Sequence, residues 1–285
     1  MYGSRYNLIK PAAYLKSEPL NSYHKNNINK DINYKMDVKA GVFYGIGVGP
    51  GDPELLTLKA VKVLKSVDIV FAAASAKKTH SIAYTIAKEH IPDTASLRIL
   101  TFPMTNDLME KEKNWENHAR IIIKELEQNK KVAFITLGDP MTYSTYGYIL
   151  KHIQKIAPHL PVVSISGITS YQAAAASLNL PLVEGDDSLL LTSGVNGGES
   201  LRKISEKPKN IVFLKAYRKV KDIVAAIDEA GSYATSVGVS SCGQKNEKIT
   251  KNIKELYNTP PDYWTLILAK QENTPLSQAS HKKND

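Results

Sequence analysis

The most constraining stretch of this sequence is residues 41–58, GVFYGIGVGPGDPELLTL. A short apolar run over 42–46 ends in alternating glycines, Gly45, Gly47, Gly49 and Gly51, with Pro50 wedged between the last two. Without a Cβ, such backbone turns tightly and lets a ligand approach closely. Asp52 is placed to cap a following helix, and Pro53 suits its first position. The rest of the chain repeats this order of strand, loop and helix.

Apolar periodicity predicts strands over 42–48, 68–73, 97–100 and 131–136. Between them it predicts helices over 54–66, 79–89 and 106–129, the first with Leu55, Leu58, Val61 and Leu64 on one face. A glycine loop, LGDPMTYSTYGY, then leads into a helix ending near 156. Strands alternating with helices imply a parallel sheet covered on both faces. Pro158 and Pro161 mark a hinge. Beyond it come a strand over 162–165, a loop over 166–169 and an alanine-rich helix to 178. Further strands fall over 188–192, 210–214, 234–239 and 264–269, with a helix over 220–230. The expected fold class is therefore α/β with two domains, a mostly parallel N-terminal sheet over 41–158 and a mixed C-terminal sheet over 159–270. Residues 1–40, polar and without period, read as a disordered extension, and 271–285 as a flexible tail.

Composition closes off several classes. No apolar run approaches the roughly 18 residues of a membrane span. The single cysteine, Cys242, excludes an internal disulfide and a cysteine metal cage, and fits a reducing, cytoplasmic setting. The histidines are scattered without His-x-x-x-His spacing, so no metal site is expected. The formal charge is +9, and residues 1–40 hold seven Lys/Arg against three Asp/Glu. A basic core suits nucleic acid or a small polyanion. No arginine-rich helix or aromatic–basic motif supports nucleic acid, which leaves a small polyanion or a charge that serves only solubility.

The first glycine loop fails the familiar nucleotide signatures. In the dinucleotide fingerprint G-x-G-x-x-G, the last glycine would fall on Pro50 or Asp52, depending on register. No acidic residue ends the next strand, and no Gly-Lys-Ser/Thr marks a P-loop. One such loop could be a plain turn before a helix. Three of them, at 49–53, 138–142 and 167–170, each follow a predicted strand and precede a helix. That is where ligands bind in open α/β sheets.

In order, these loops read GVGPGDPELLT, LGDP and SGITS. The set resembles the tetrapyrrole methylases, over roughly 41–270. The run GDPMTYSTYGYI and the later LPLVEGDDSLLL are most similar to the branch that methylates C20 of precorrin-2 or cobalt-factor II. Ser166 departs from the pattern, since many members have proline there. The resemblance implies two α/β domains with S-adenosylmethionine bound between them, a polycarboxylate tetrapyrrole as substrate, and a homodimer. Carried onto this chain, it puts Pro50, Gly138, Asp139, Thr142, Thr169 and Ser170 beside the cofactor. Lys215, Ala216 and Gly243 fall where the family supplies further cofactor contacts.

Methyl transfer from a sulfonium is an in-line displacement whose electrophile is already activated. The protein has mainly to align reactants and exclude water, which fits a sequence without a catalytic triad or paired carboxylates. Asp139 either accepts hydrogen bonds from the ligand or stabilises its own turn. A methylated meso carbon must lose its proton, and Tyr143, Tyr146 and Glu184 are the candidates to take it. The tyrosines are equally suited to the core, and Glu184 to an acidic turn.

Overall fold

The computed structural model describes residues 39–75, 81–103, 105–258 and 261–271. The expected N-terminal extension lies outside them but for its last two residues, as does the C-terminal tail after Gln271. The first sheet contains β1 (Phe43–Gly47), β2 (Ile69–Ser75), β3 (Ser96–Phe102), β4 (Val132–Thr136) and β5 (Val162–Ile165), in the order β3-β2-β4-β1-β5. Every pairing in it is parallel. Such a sheet must be covered on both faces. Accordingly β1 and β4 are buried along their whole length.

Helices α1 (Leu58–Leu64), α2 (Ile82–Ala87), α3 (Leu108–Leu126) and α4 (Tyr146–Ile156) supply the cover. Phe43, Phe71 and Phe134 pack with Ile122, Leu126, Ile149 and Ile153 of α3 and α4. α1 and α2 pack against β1, β2 and β4. The Asp107 carboxylate caps α3 by accepting from the Met109 and Glu110 amides. The beginning of the helix expected over 79–89 lies outside the described residues.

Two readings are corrected. The helix expected over 54–66 is broken. Asp52 caps only a turn of 3-10 helix, Pro53–Leu55, and Leu56 is extended before Thr57 caps α1 through the Ala60 amide. Two capping signals in series win over one continuous helix, and the break turns the helix about its axis. Ala60, Val63 and Leu64 are buried, while Leu58 is 89% exposed. The second correction concerns β5, expected to open the second sheet. It pairs in parallel with β1 and forms an edge of the first sheet. The carbonyl of Pro161 accepts from the Phe43 amide, so Pro161 starts an edge strand, where its missing N–H costs nothing. The chain changes sheets after β5, in the loop at 166–169, and not at Pro158.

The second sheet contains β6 (Leu189–Ser193), β7 (Asn210–Leu214), β8 (Thr235–Ser240), β9 (Lys248–Thr250) and β10 (Thr265–Lys270), in the order β6-β7-β10-β8-β9. It is mixed, as expected, because β10 runs antiparallel to β7 and β8. Its two faces follow from the period of two. Ile211, Phe213, Ile267 and Ala269 pack with Ile223, Val224 and Ile227 of α7 (Val220–Ala230) and with Leu201 of α6 (Glu199–Arg202). Val212, Leu266 and Leu268 pack with Ala174 of α5 (Ser170–Ser177). The helix that follows β5 therefore covers the second sheet. Strand β9 and helix α6 are too short to leave a periodic signal.

Candidate functional site

The order β4-β1-β5 makes the three glycine loops neighbours, since they leave the carboxyl ends of adjacent parallel strands. They touch through backbone. Gly49 and Gly138 form an isolated antiparallel bridge, each amide donating to the other's carbonyl, at 3.3 and 2.7 Å. A Cβ on Gly47 would stand 2.5 Å from the Gly138 carbonyl oxygen and 2.7 Å from the Gly167 nitrogen. No other residue type permits that contact. Beside it, Gly138 has φ +71°, and a Cβ there would meet no atom within 4 Å. The open side of the junction therefore lies at Gly138.

Asp139 staples the second loop to the third. One carboxylate oxygen accepts from the Met141 amide at 2.8 Å, the other from the Gly167 amide at 3.0 Å. Asp139 thus stabilises its own turn and ties it to a neighbouring loop. Pro50 is buried beside the bridge. The Thr142 amide donates back to the Asp139 carbonyl at 3.5 Å. Thr169 and Gln172 form a capping box at the start of α5, which places Ser170 in its first turn.

The second sheet meets this junction at two places. Gly51 lies against the loop after β8, where a Cβ would be 2.6 Å from the Gly243 carbonyl carbon and 2.8 Å from the Cys242 oxygen. Gly243, at φ +72°, donates its amide to Glu247. Farther along, the Lys215 ammonium lies 5.6 Å from the centre of the Tyr143 ring. Lys215 follows β7 and Tyr143 follows β4, so the pair spans the two sheets. Lys215 has much open surface, yet the crowding around its ammonium is enough that burial lowers its pKa. Next to it, Ala216 is buried and its amide donates to the Thr265 carbonyl.

Backbone conformation marks the same places. Among the described residues, five other than glycine have positive φ: Asn129, Tyr143, Asn179, Lys215 and Ser241. The two asparagines follow α3 and α5, where that residue adopts the left-handed region readily. Tyr143, Lys215 and Ser241 carry a strain of about 1–2 kcal/mol each. They follow the carboxyl ends of β4, β7 and β8. Strain held at loops around one site is a common mark of function. Sequence reasoning missed Ser241, whose only signal was its place two residues before Gly243.

The three candidate proton acceptors separate. Tyr146 is fully buried against Phe43 and Phe134, and its hydroxyl shares a hydrogen bond with Ser164 at 2.8 Å. Its ring fills the space that a Cβ on Gly45 would need, and burial raises its pKa. Tyr146 is a core residue. Glu184 pairs with Lys270, which lies beside Asn210 at the amino end of β7. That is the opposite end of β7 from Lys215. Only Tyr143, 49% exposed, stands at the loops. Among the described residues no group of three or more His, Cys, Asp or Glu could hold a metal ion.

A family model described as Tetrapyrrole (Corrin/Porphyrin) Methylases matches residues 42–257. The chain belongs to this family. The methylase is 34% identical to a probable cobalt-precorrin-2 C(20)-methyltransferase of Methanocaldococcus jannaschii, over 80% of this chain and 95% of that protein. It is 30% identical to the cobalt-precorrin-2 C(20)-methyltransferase of Salmonella typhimurium, over 81% and 97%. Its fold is that of the uroporphyrin-III C-methyl transferase of Thermus thermophilus complexed with S-adenyl homocysteine, at TM-score 0.59 and 20% identity, covering 80% of this chain and 91% of that one. No helix among the methylase's described residues is long and apolar enough to cross a membrane.

Proposed function

We propose that this methylase transfers a methyl group from S-adenosylmethionine to C20 of precorrin-2, with or without its cobalt. The observation that carries the reading is the likeness, over nearly their full length, to two proteins named for that reaction. The three-loop junction supports the cofactor assignment. Its open side at Gly138, where a Cβ would project into free space, leaves room for a ligand against the loops.

In this reading Pro50, Gly138, Thr142, Thr169 and Ser170 hold the cofactor from the first sheet. Lys215, Ala216 and Gly243 hold it from the second. Bound there, S-adenosylmethionine supplies an electrophilic methyl group. The chain orients it and keeps water out, and Asp139 fixes the shape of the junction without needing to touch the ligand. Tyr143 assists loss of the meso proton by accepting a hydrogen bond from the water that carries it away. The active assembly is a homodimer.

Anaerobic incubation with S-adenosylmethionine and either precorrin-2 or cobalt-factor II tests the reading. One methyl group at C20, located by mass spectrometry and carbon NMR, is the expected product. Methylation at another carbon, or of neither substrate, would overturn it, and the relative rates identify the metal state of the substrate.

A further inference from the structure

After β7 the chain reads Lys-Ala-Tyr-Arg-Lys, residues 215–219. The Tyr217 ring lies 4.7 Å from that of Tyr263, which meets Trp264 edge to face at 4.7 Å. The Arg218 guanidinium lies 5.4 Å from the centre of the Tyr217 ring. Tyr263 and Trp264 remain 42% and 39% exposed. The cluster thus presents aromatic surface to solvent, with a cation laid across it.

Two hydrogen bonds tie this cluster to the loop junction. The Ala216 amide donates to the Thr265 carbonyl at 2.9 Å, and the Ser241 amide to the Trp264 carbonyl at 3.1 Å. Ser241 precedes by two residues the Gly243 that closes on Gly51 and Asp52. The aromatic cluster therefore borders the junction.

Charge points the same way. Arg202, at the end of α6, is held by Asp222 and Glu229 of α7 at 2.9 and 2.7 Å. Arg218 and Lys215 have no acidic partner within ion-pair distance among the described residues. A guanidinium that lies over a ring, with no carboxylate already on it, keeps its donors available to bind one.

We propose that Tyr217, Arg218, Tyr263 and Trp264 form a subsite for one carboxylate-bearing rim of the macrocycle, with Arg218 on a carboxylate and the aromatic rings against the apolar edge. This rests on the tetrapyrrole substrate proposed above. These side chains are specificity determinants, outside the methyl-transfer chemistry. The cofactor's own carboxylate is the competing source of the same charge, and the test separates the two.

The chain has two tryptophans, so a Trp115→Phe background leaves Trp264 as the reporter. This protein, saturated with S-adenosylhomocysteine, is titrated with uroporphyrin and with the less carboxylated coproporphyrin, following quenching. Uroporphyrin binds more tightly. Arg218→Gln weakens it about tenfold, the loss of one charge-assisted hydrogen bond. Tyr263→Leu also weakens it, and affinity for S-adenosylhomocysteine, measured by calorimetry, is unchanged in both variants. No uroporphyrin binding by the parent protein, or unchanged affinity in both variants, overturns the subsite. A loss that falls on S-adenosylhomocysteine assigns the cluster to the cofactor and overturns it equally. If the protein binds uroporphyrin through these residues but methylates neither precorrin-2 form, the functional reading fails and the subsite stands. If Arg218→Gln methylates C20 with unchanged KM for the macrocycle, the subsite fails and the function stands.

Discussion

Lys215 and Tyr143 meet as cation and ring across the two sheets, and both hold left-handed backbone to do so. The pair contributes about 0.5–1 kcal/mol as an exposed contact. Tyr143→Leu should therefore lower the unfolding free energy by no more than about 1 kcal/mol in urea titrations. On the role proposed for Tyr143, kcat should fall by more than that loss of stability explains.

Lys215 also predicts a pH effect. Burial lowers its pKa from 10.5, so the folded protein releases this proton before the unfolded chain does. In the interval between the lowered value and 10.5 the unfolded state binds more protons, and stability rises with pH. At mildly alkaline pH Lys215 should react with an amine-directed acylating reagent ahead of freely solvated lysines. Peptide mass mapping reads this directly, and Lys215→Met removes the alkaline gain in stability.

The glycines at the junction should respond oppositely to the same substitution. Gly47→Ala drives a methyl group into two backbones and should cost more than about 2 kcal/mol, or prevent folding. Gly138→Ala meets no atom, and costs only the roughly 1–2 kcal/mol of a left-handed alanine. It should fold, yet bind S-adenosylhomocysteine more weakly, because its methyl group occupies the open side. Thermal melts paired with calorimetry distinguish the two.

Asp139→Ala leaves the Met141 and Gly167 amides without their acceptor. A stability loss of about 1–3 kcal/mol is expected, with the cofactor affinity falling alongside as the second and third loops part. Tyr146→Phe is the control from the core. It should cost about 1 kcal/mol through the lost Ser164 bond and leave kcat unchanged.

Cys242 offers a probe of motion. Burial, with Glu247 adding to it, pushes its thiol up to about 12. In the folded protein it should resist alkylation at neutral pH and react only when the loop after β8 opens. As pH rises from 9.0 toward that value, the unfolded chain ionises first and stability falls. Ligand bound against Gly243 should slow labelling further, measurable by mass spectrometry over time.

What the sequence made legible was local. β7 and α7 fall on their expected bounds because the apolar run 210–214 and the amphipathic run 220–230 each declare themselves. The three glycine loops were legible for the same reason, down to the Asp52 cap and the Thr169 start of α5. Non-local choices were not. Nothing within 162–165 says that β1 is its partner, and nothing in Tyr146 distinguishes a core ring from one in a cleft until Gly45 is found beneath it. The α1 face was misread because Thr57 reset the helix one turn after Asp52 had already begun one.

The contact of Gly51 with Gly243 has a consequence for how such an enzyme diversifies. Main chain rests on main chain there, with the Gln244 side chain beside it, so peptide geometry largely sets how closely the loops of the two sheets approach. If the macrocycle binds beside this seam as proposed, a change of acceptor carbon has to come from sliding or turning it against a fixed wall. Substitutions that steer it belong on the rim, while the seam itself tolerates almost none.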